Sequence, residues 1–104
     1  MSSFTLDERV RLSIVLALTA GTDGTPCHDQ EADARRLGLC GAEIDAARRG
    51  LSFDALTARA LALAIATRAG DAPRRAERAR AVRLGIADEV CREIEGFAER
   101  FAAR

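Results

Sequence analysis

Five segments of this chain run into a glycine, at Gly21, Gly38, Gly50, Gly70 and Gly85, and this punctuation constrains the fold more than any other feature. Glycine adopts the left-handed backbone that ends a helix without steric cost, so apolar stripes at helical spacing closed by glycine describe short helices joined by tight turns. The first helix should run from about Asp7 to Ala20, with Thr5 or Asp7 as its N-cap and Val10, Ile14, Val15 and Leu18 on one stripe. Thr22 to Pro26 reads as a turn, and a second helix begins near Pro26 or Cys27 and stops at Gly38. Gly41 to Arg49 forms a short third helix closed by Gly50, and a fourth spans about Phe53 to Ala69, with Ser52 or Asp54 at its start.

Gly70-Asp71-Ala72-Pro73 makes the next break and is followed by the polar stretch Arg74 to Leu84. A last helix, from about Ala87 to Ala102, repeats Val90, Ile94, Phe97 and Phe101 at helical spacing, with Gly96 lowering its intrinsic stability. From Ala60 to Ala66 the fourth helix is Ala or Leu on nearly every face, which buries it either at the domain centre or against another subunit. The expectation is an all-α domain, a compact bundle of about six helices. Composition agrees: 48% of the chain is apolar but only 4% aromatic, so the core is built from Ala, Leu, Val and Ile, which suit close helix packing. A chain of 104 residues is one domain, 1–104, that buries only about two-thirds of its surface and gains from completion by a partner subunit.

Ala34-Arg35-Arg36-Leu37-Gly38-Leu39 is echoed by Ala81-Val82-Arg83-Leu84-Gly85-Ile86, each ending one helix at glycine and leading into another. Two helix-turn-helix units with common structural logic are implied, though two copies make no repeat array.

Several function classes are disfavoured. Sixteen basic residues, all arginine, balance sixteen acidic ones, which removes the electrostatic case for nucleic acid or an anionic membrane as the main partner. The absence of lysine excludes a lysine Schiff base. The longest apolar runs, Ile14 to Ala20 and Ala60 to Ala66, are too short to span a bilayer, and no leader pattern opens the chain, so a soluble cytoplasmic protein is expected. Cys27, Cys40 and Cys91 form no short-spaced pair, which points to reduced thiols, and with one histidine they make no zinc spacing; neither metal nor cofactor is expected.

The blocks Leu6-Asp7-Glu8-Arg9 through Ala17-Leu18-Thr19-Ala20-Gly21, then Thr22-Asp23-Gly24-Thr25, then Ala32-Asp33-Ala34-Arg35-Arg36-Leu37-Gly38-Leu39 with Ala42-Glu43-Ile44, resemble the carboxymuconolactone decarboxylase and alkylhydroperoxidase D superfamily. Phe53-Asp54 leading into Leu61-Ala62-Leu63-Ala64 resembles its next helix, so the likeness covers about residues 6 to 70 and rests on helix order and glycine placement. The resemblance implies an all-helical domain assembling as a dimer, trimer or hexamer, with a small organic molecule or a peroxide bound near the start of the second helix. In the peroxidase branch a helix bearing a Glu is followed by Cys-x-x-Cys-x-x-x-His, in which a thiolate reduces peroxide and the second thiol resolves the sulfenic acid.

This chain departs from that pattern. Aligned through Asp23-Gly24, the two Cys positions hold Thr22 and Thr25 and the His position falls on Asp29; aligned from Gly38, the His position falls on Gln30. A register that brings Cys27 onto the second Cys position puts Gly24 on the first and Glu31 on the His. The first-helix Glu is replaced by the neighbourhood Arg11-Leu12-Ser13, with Glu8 nearly a turn earlier.

Four residues are therefore the candidate catalytic groups: Cys27, His28, Asp29 and Glu31. Cys27 is either a single peroxidatic thiolate, activated by the helix N-terminus and His28, or a small packing residue. His28 is the only histidine and the only group for a histidine acid-base step, yet it suits a solvated first turn equally. Asp29 and Glu31 favour the first-turn dipole without any function, or one of them transfers a proton in a small-molecule pocket. Thr22 and Thr25 cap and shape the turn or offer a hydroxyl to substrate, Cys40 and Cys91 read as structural, and the paired arginines read as solvated faces and intersubunit salt bridges. Three functions follow: non-dithiol acid-base chemistry on a small organic molecule, as in the decarboxylase branch; a one-thiol antioxidant peroxidase using Cys27; or a non-catalytic homo-oligomeric helical protein. DNA binding through the helix-turn-helix units is a weaker fourth, given the neutral net charge.

Overall fold

The computed structural model describes residues 4–19 and 28–102, with side chains described for 4–19 and 32–100. Six α-helices and no strand occur among the described residues: α1 (Glu8–Thr19), α2 (His28–Arg36), α3 (Gly41–Arg48), α4 (Ala55–Ala69), α5 (Asp71–Arg83) and α6 (Asp88–Ala102). The turn expected over Thr22 to Pro26 lies outside the described residues.

The helix boundaries have local causes. Asp7 Oδ1 accepts the Val10 N–H at 2.9 Å and Asp54 Oδ2 accepts the Thr57 N–H at 2.8 Å, so Asp7 and Asp54 are the caps of α1 and α4. Ser52 sits one step further out, its hydroxyl oxygen accepting from the Asp54 N–H at 3.2 Å, and Phe53 stays outside the helix, 74% exposed. Pro73, expected in a break, lies within the first turn of α5, because the N–H it lacks has no intrahelical acceptor there.

The glycine echo is a shared hydrogen-bond pattern. Gly38 (φ +92) donates to the Arg35 carbonyl and Leu39 to Ala34, while Gly85 (φ +112) donates to Val82 and Ile86 to Ala81. These are Schellman closures, each with its flanking apolar pair buried: Ala34 with Leu39, Ala81 with Ile86. Gly50 (φ +78) ends α3 the same way, and its left-handed backbone is what requires glycine; a Cβ there would come within 2.7 Å of Ile65 Cδ1, the flexible tip of a partly exposed side chain that can turn aside.

Two apolar clusters result. The larger joins Val10, Ile14 and Leu18 of α1 to Leu61 and Leu63 of α4, Ile86, and Cys91, Ile94 and Ala98 of α6. The smaller joins Leu16 of α1 to Ala34, Leu39, Ile44 and Ala47 beneath α2 and α3, with Leu12 packed against it. Helix α4 lies at the domain centre, against α1, α5 and α6, which resolves the alternative left open by its all-round apolarity. Arg68 Nη1 donates to the Leu18 carbonyl at 3.0 Å, tying α4 to the C-terminal end of α1 where a cation is favoured.

Candidate functional site

Cys27, Thr22 and Thr25 lie outside the described residues. His28, Asp29 and Glu31 form the first turn of α2, and their side chains likewise fall outside the description. At about 100° per residue, Asp29 shares a register with Asp33 and Arg36, four and seven residues on, whereas His28 and Glu31 occupy other registers.

Asp33 and Arg36 line a largely apolar cleft of about 470 Å³ between α1, α2 and α6. Glu8, Arg11, Leu12 and Val15 line it from α1 at helical spacing, Asp33, Arg36 and Leu37 from α2 and its end, and Phe97 from α6. Its floor is apolar and its rim charged. Arg36 Nη2 meets Asp33 Oδ1 at 2.6 Å, while Arg11 and Glu8 make no salt bridge among the described residues. The volume suits a small organic molecule, and an apolar floor with a few polar groups on its rim is the usual composition of such a site.

A second cleft, of about 340 Å³, is polar and has a structural explanation. It is where the starts of α1, α3 and α4 converge, and its carboxylates are helix caps: Asp7, Asp54, and Glu43, whose Oε1 accepts the Cys40 N–H at 3.0 Å. Hydrogen bonds from Cys40 hold the Glu43 carboxyl below its usual range, helped by Arg9 with its Nη2 at 3.6 Å. Asp54 is lowered in the same way by the Thr57 N–H and hydroxyl. These acceptors are already engaged.

Of the remaining cysteines, Cys40 is exposed before α3, and Cys91 is fully buried in α6. Burial pushes the Cys91 thiol up, against a smaller opposing pull from the Arg78 charge, so it is a packing group rather than a nucleophile. One ionic feature went unforeseen. Arg74 and Arg78, on a helix expected to present a solvated face, converge on Glu95 Oε1 at 3.4 and 2.7 Å, and the Glu95 side chain is only 8% exposed. The available signal was spacing: Glu95 follows Cys91 by four residues on the buried stripe of α6.

Among the described residues no group of three or more His, Cys, Asp or Glu side chains could hold a metal ion, and no helix is long and apolar enough to cross a membrane. Compared with known proteins, the chain matches no family model, no curated protein and no solved structure. The class that the fold and the cleft define is accordingly an all-α domain with a cavity of small-molecule size between its first two helices and its last.

Proposed function

We propose that this protein is a divergent relative of the carboxymuconolactone decarboxylase and alkylhydroperoxidase D proteins that binds a small organic molecule in the α1/α2/α6 cleft and acts without a dithiol. The observation that carries this reading is the cleft itself, a cavity with an apolar floor and an ion-rimmed mouth beside the helix to which the resemblance assigns the site. The all-helical order and the glycine-closed turns are consistent with it. Asp29, in the register of Asp33, is the first of the α2 carboxylates to test for proton transfer; His28 and Glu31 follow, and Cys27 serves the peroxidase alternative.

A panel of lactones, oxo acids and related metabolites, read by thermal shift and calorimetry, tests the reading. At least one compound should raise the melting temperature in proportion to its concentration, and Val15→Trp, which fills the cleft, should abolish the effect. Binding that survives Val15→Trp unchanged, or a panel with no binder, would sink it. Turnover unaffected by Asp29→Asn, His28→Ala and Glu31→Gln would remove the acid-base placement, and peroxide treatment leaving Cys27 unoxidised in a mass spectrum would remove the peroxidase.

A homo-oligomeric role is favoured by a different observation. Leu51 and Phe53 are 57% and 74% exposed in the α3–α4 connection, large apolar side chains that a partner surface would cover. A solution mass equal to the monomer, unchanged by Phe53→Ser, would remove that role.

A further inference from the structure

Helix α6 carries a glycine where its own packing requires none. Gly96 is interior to the helix, where glycine is the least favourable residue after proline, and among the described residues a Cβ there would meet only Arg100 Nη1, at 3.9 Å, an ordinary contact. Among the described residues no neighbouring helix comes close enough to exclude a methyl group. What the missing side chain leaves open is the wall of a third cavity, of about 410 Å³, lined by Leu6, Arg11, Arg92, Glu93, Gly96, Phe97 and Arg100. Arg11 and Phe97 also line the α1/α2/α6 cleft, so the two cavities share these two side chains.

The charges of this compartment are one-sided. Three guanidinium groups face one carboxylate, Glu93. Arg92 is engaged by Asp88 at 3.1 Å, whereas Arg11 and Arg100 make no salt bridge among the described residues. The Arg100 guanidinium stands over the Phe97 ring, 5.8 Å from its centroid, a contact that orients the group. Two arginines without salt-bridge partners among the described residues, beside an aromatic wall and a glycine, match a compact oxyanion carried on a flat apolar body. The planar fork of guanidinium donors pairs with two oxygens of a carboxylate or phosphate, and the ring covers the apolar part.

We infer that the Gly96 compartment is the anion-recognition end of the ligand groove, with Arg11 and Arg100 binding the carboxylate or phosphate of a ligand whose apolar body lies against Phe97 and extends into the α1/α2/α6 cleft. The inference rests on the proposed small-molecule site and adds the ligand's chemical class and orientation.

Benzoate, phenyl phosphate and neutral benzamide, titrated into the full chain by calorimetry with amide chemical shifts followed in parallel, test it. Benzoate or phenyl phosphate should bind at least about tenfold more tightly than benzamide, and whichever of the two binds better identifies the oxyanion. Arg100→Gln should abolish that preference, and Gly96→Ala should weaken anion binding while leaving the melting temperature unchanged or higher, a combination that misfolding does not produce. Equal binding of benzamide and benzoate, no binding of either anion, or anion affinity unchanged in both variants would overturn the inference. Val15→Trp separates the two proposals: if it blocks all three probes while Arg100→Gln changes none, the cleft stands and the anion compartment falls.

Discussion

The two apolar clusters meet along α1 and are built very differently. The larger holds Ile14, Leu61, Leu63, Ile86 and Ile94, all fully buried, between α1 and the two 15-residue helices α4 and α6. The smaller is closed by helices of nine and eight residues and fills two of its five buried positions with alanine. Helices so short have no stability of their own in water and depend on the few contacts that hold them. The cleft proposed as the binding site opens on this thinner side, where Leu12 both packs on the smaller cluster and lines the cavity. Phe97, which lines the same cavity from α6, packs on the larger cluster, so the cleft runs between a firm wall and a thinner one, with binding elements drawn in part from the less stable part of the fold.

The largest effect expected from breaking this contrast is in the larger cluster. Leu61→Ala should cost about 4 kcal/mol and Ile44→Ala, in the smaller cluster, only about 2 kcal/mol, because short helices relax more readily into the space left behind. Urea denaturation with a common slope measures both, and equal losses would show that the clusters are one core. Next, Glu95→Ala should destabilise by about 2 kcal/mol. The figure lies below that for a fully buried ion pair because Arg74 and Arg78, at 27% and 32% side-chain exposure, can turn to water. Restoration of stability by a Glu95→Met, Arg78→Leu double variant would confirm that desolvated charge, rather than volume, sets the loss.

The smallest effect is that of the α4 cap. Asp54→Ala should cost about 1 kcal/mol at neutral pH. Since hydrogen bonds lower the Asp54 carboxyl in the folded state, its contribution is present above the unfolded value near 3.8 and is lost as pH falls through the lower folded value. The difference between wild type and Asp54→Ala, followed by denaturation from about pH 6 to pH 2, should therefore shrink toward the acid end. A difference independent of pH would show that the hydroxyl and backbone contacts of the cap hold without the charge.

Much of the fold is legible in the chain because its instructions are local. The stops at Gly38, Gly50 and Gly85 succeed because a left-handed residue followed by an apolar one encodes its own closure, and Asp7 and Asp54 announce helix starts three residues ahead. Pro73 misled for an equally local reason, since a first-turn proline and a helix breaker look alike until the start of the helix is fixed. The position of α4 followed from its apolarity only as far as burial; which surface covers it is a tertiary fact. The same holds for the groove. Phe97 and Arg100 join Arg11 across more than eighty residues of chain, and nothing in either segment names the other. Asp29 was reached through the resemblance, and it shares a helical register with Asp33, which lines the cleft.

The double duty of α1 has a further bearing on how the chain can change in length. Ile14 faces one cluster and Leu16 the other, so inserting a single residue ahead of them would rotate both by about 100° and set each against the wrong neighbours. The turns after Gly38, Gly50 and Gly85 carry no such constraint on phase. Insertions and deletions accumulated by descendants of this sequence should therefore gather at those turns, with the span from Val10 to Leu18 kept at constant length even where its residues are exchanged.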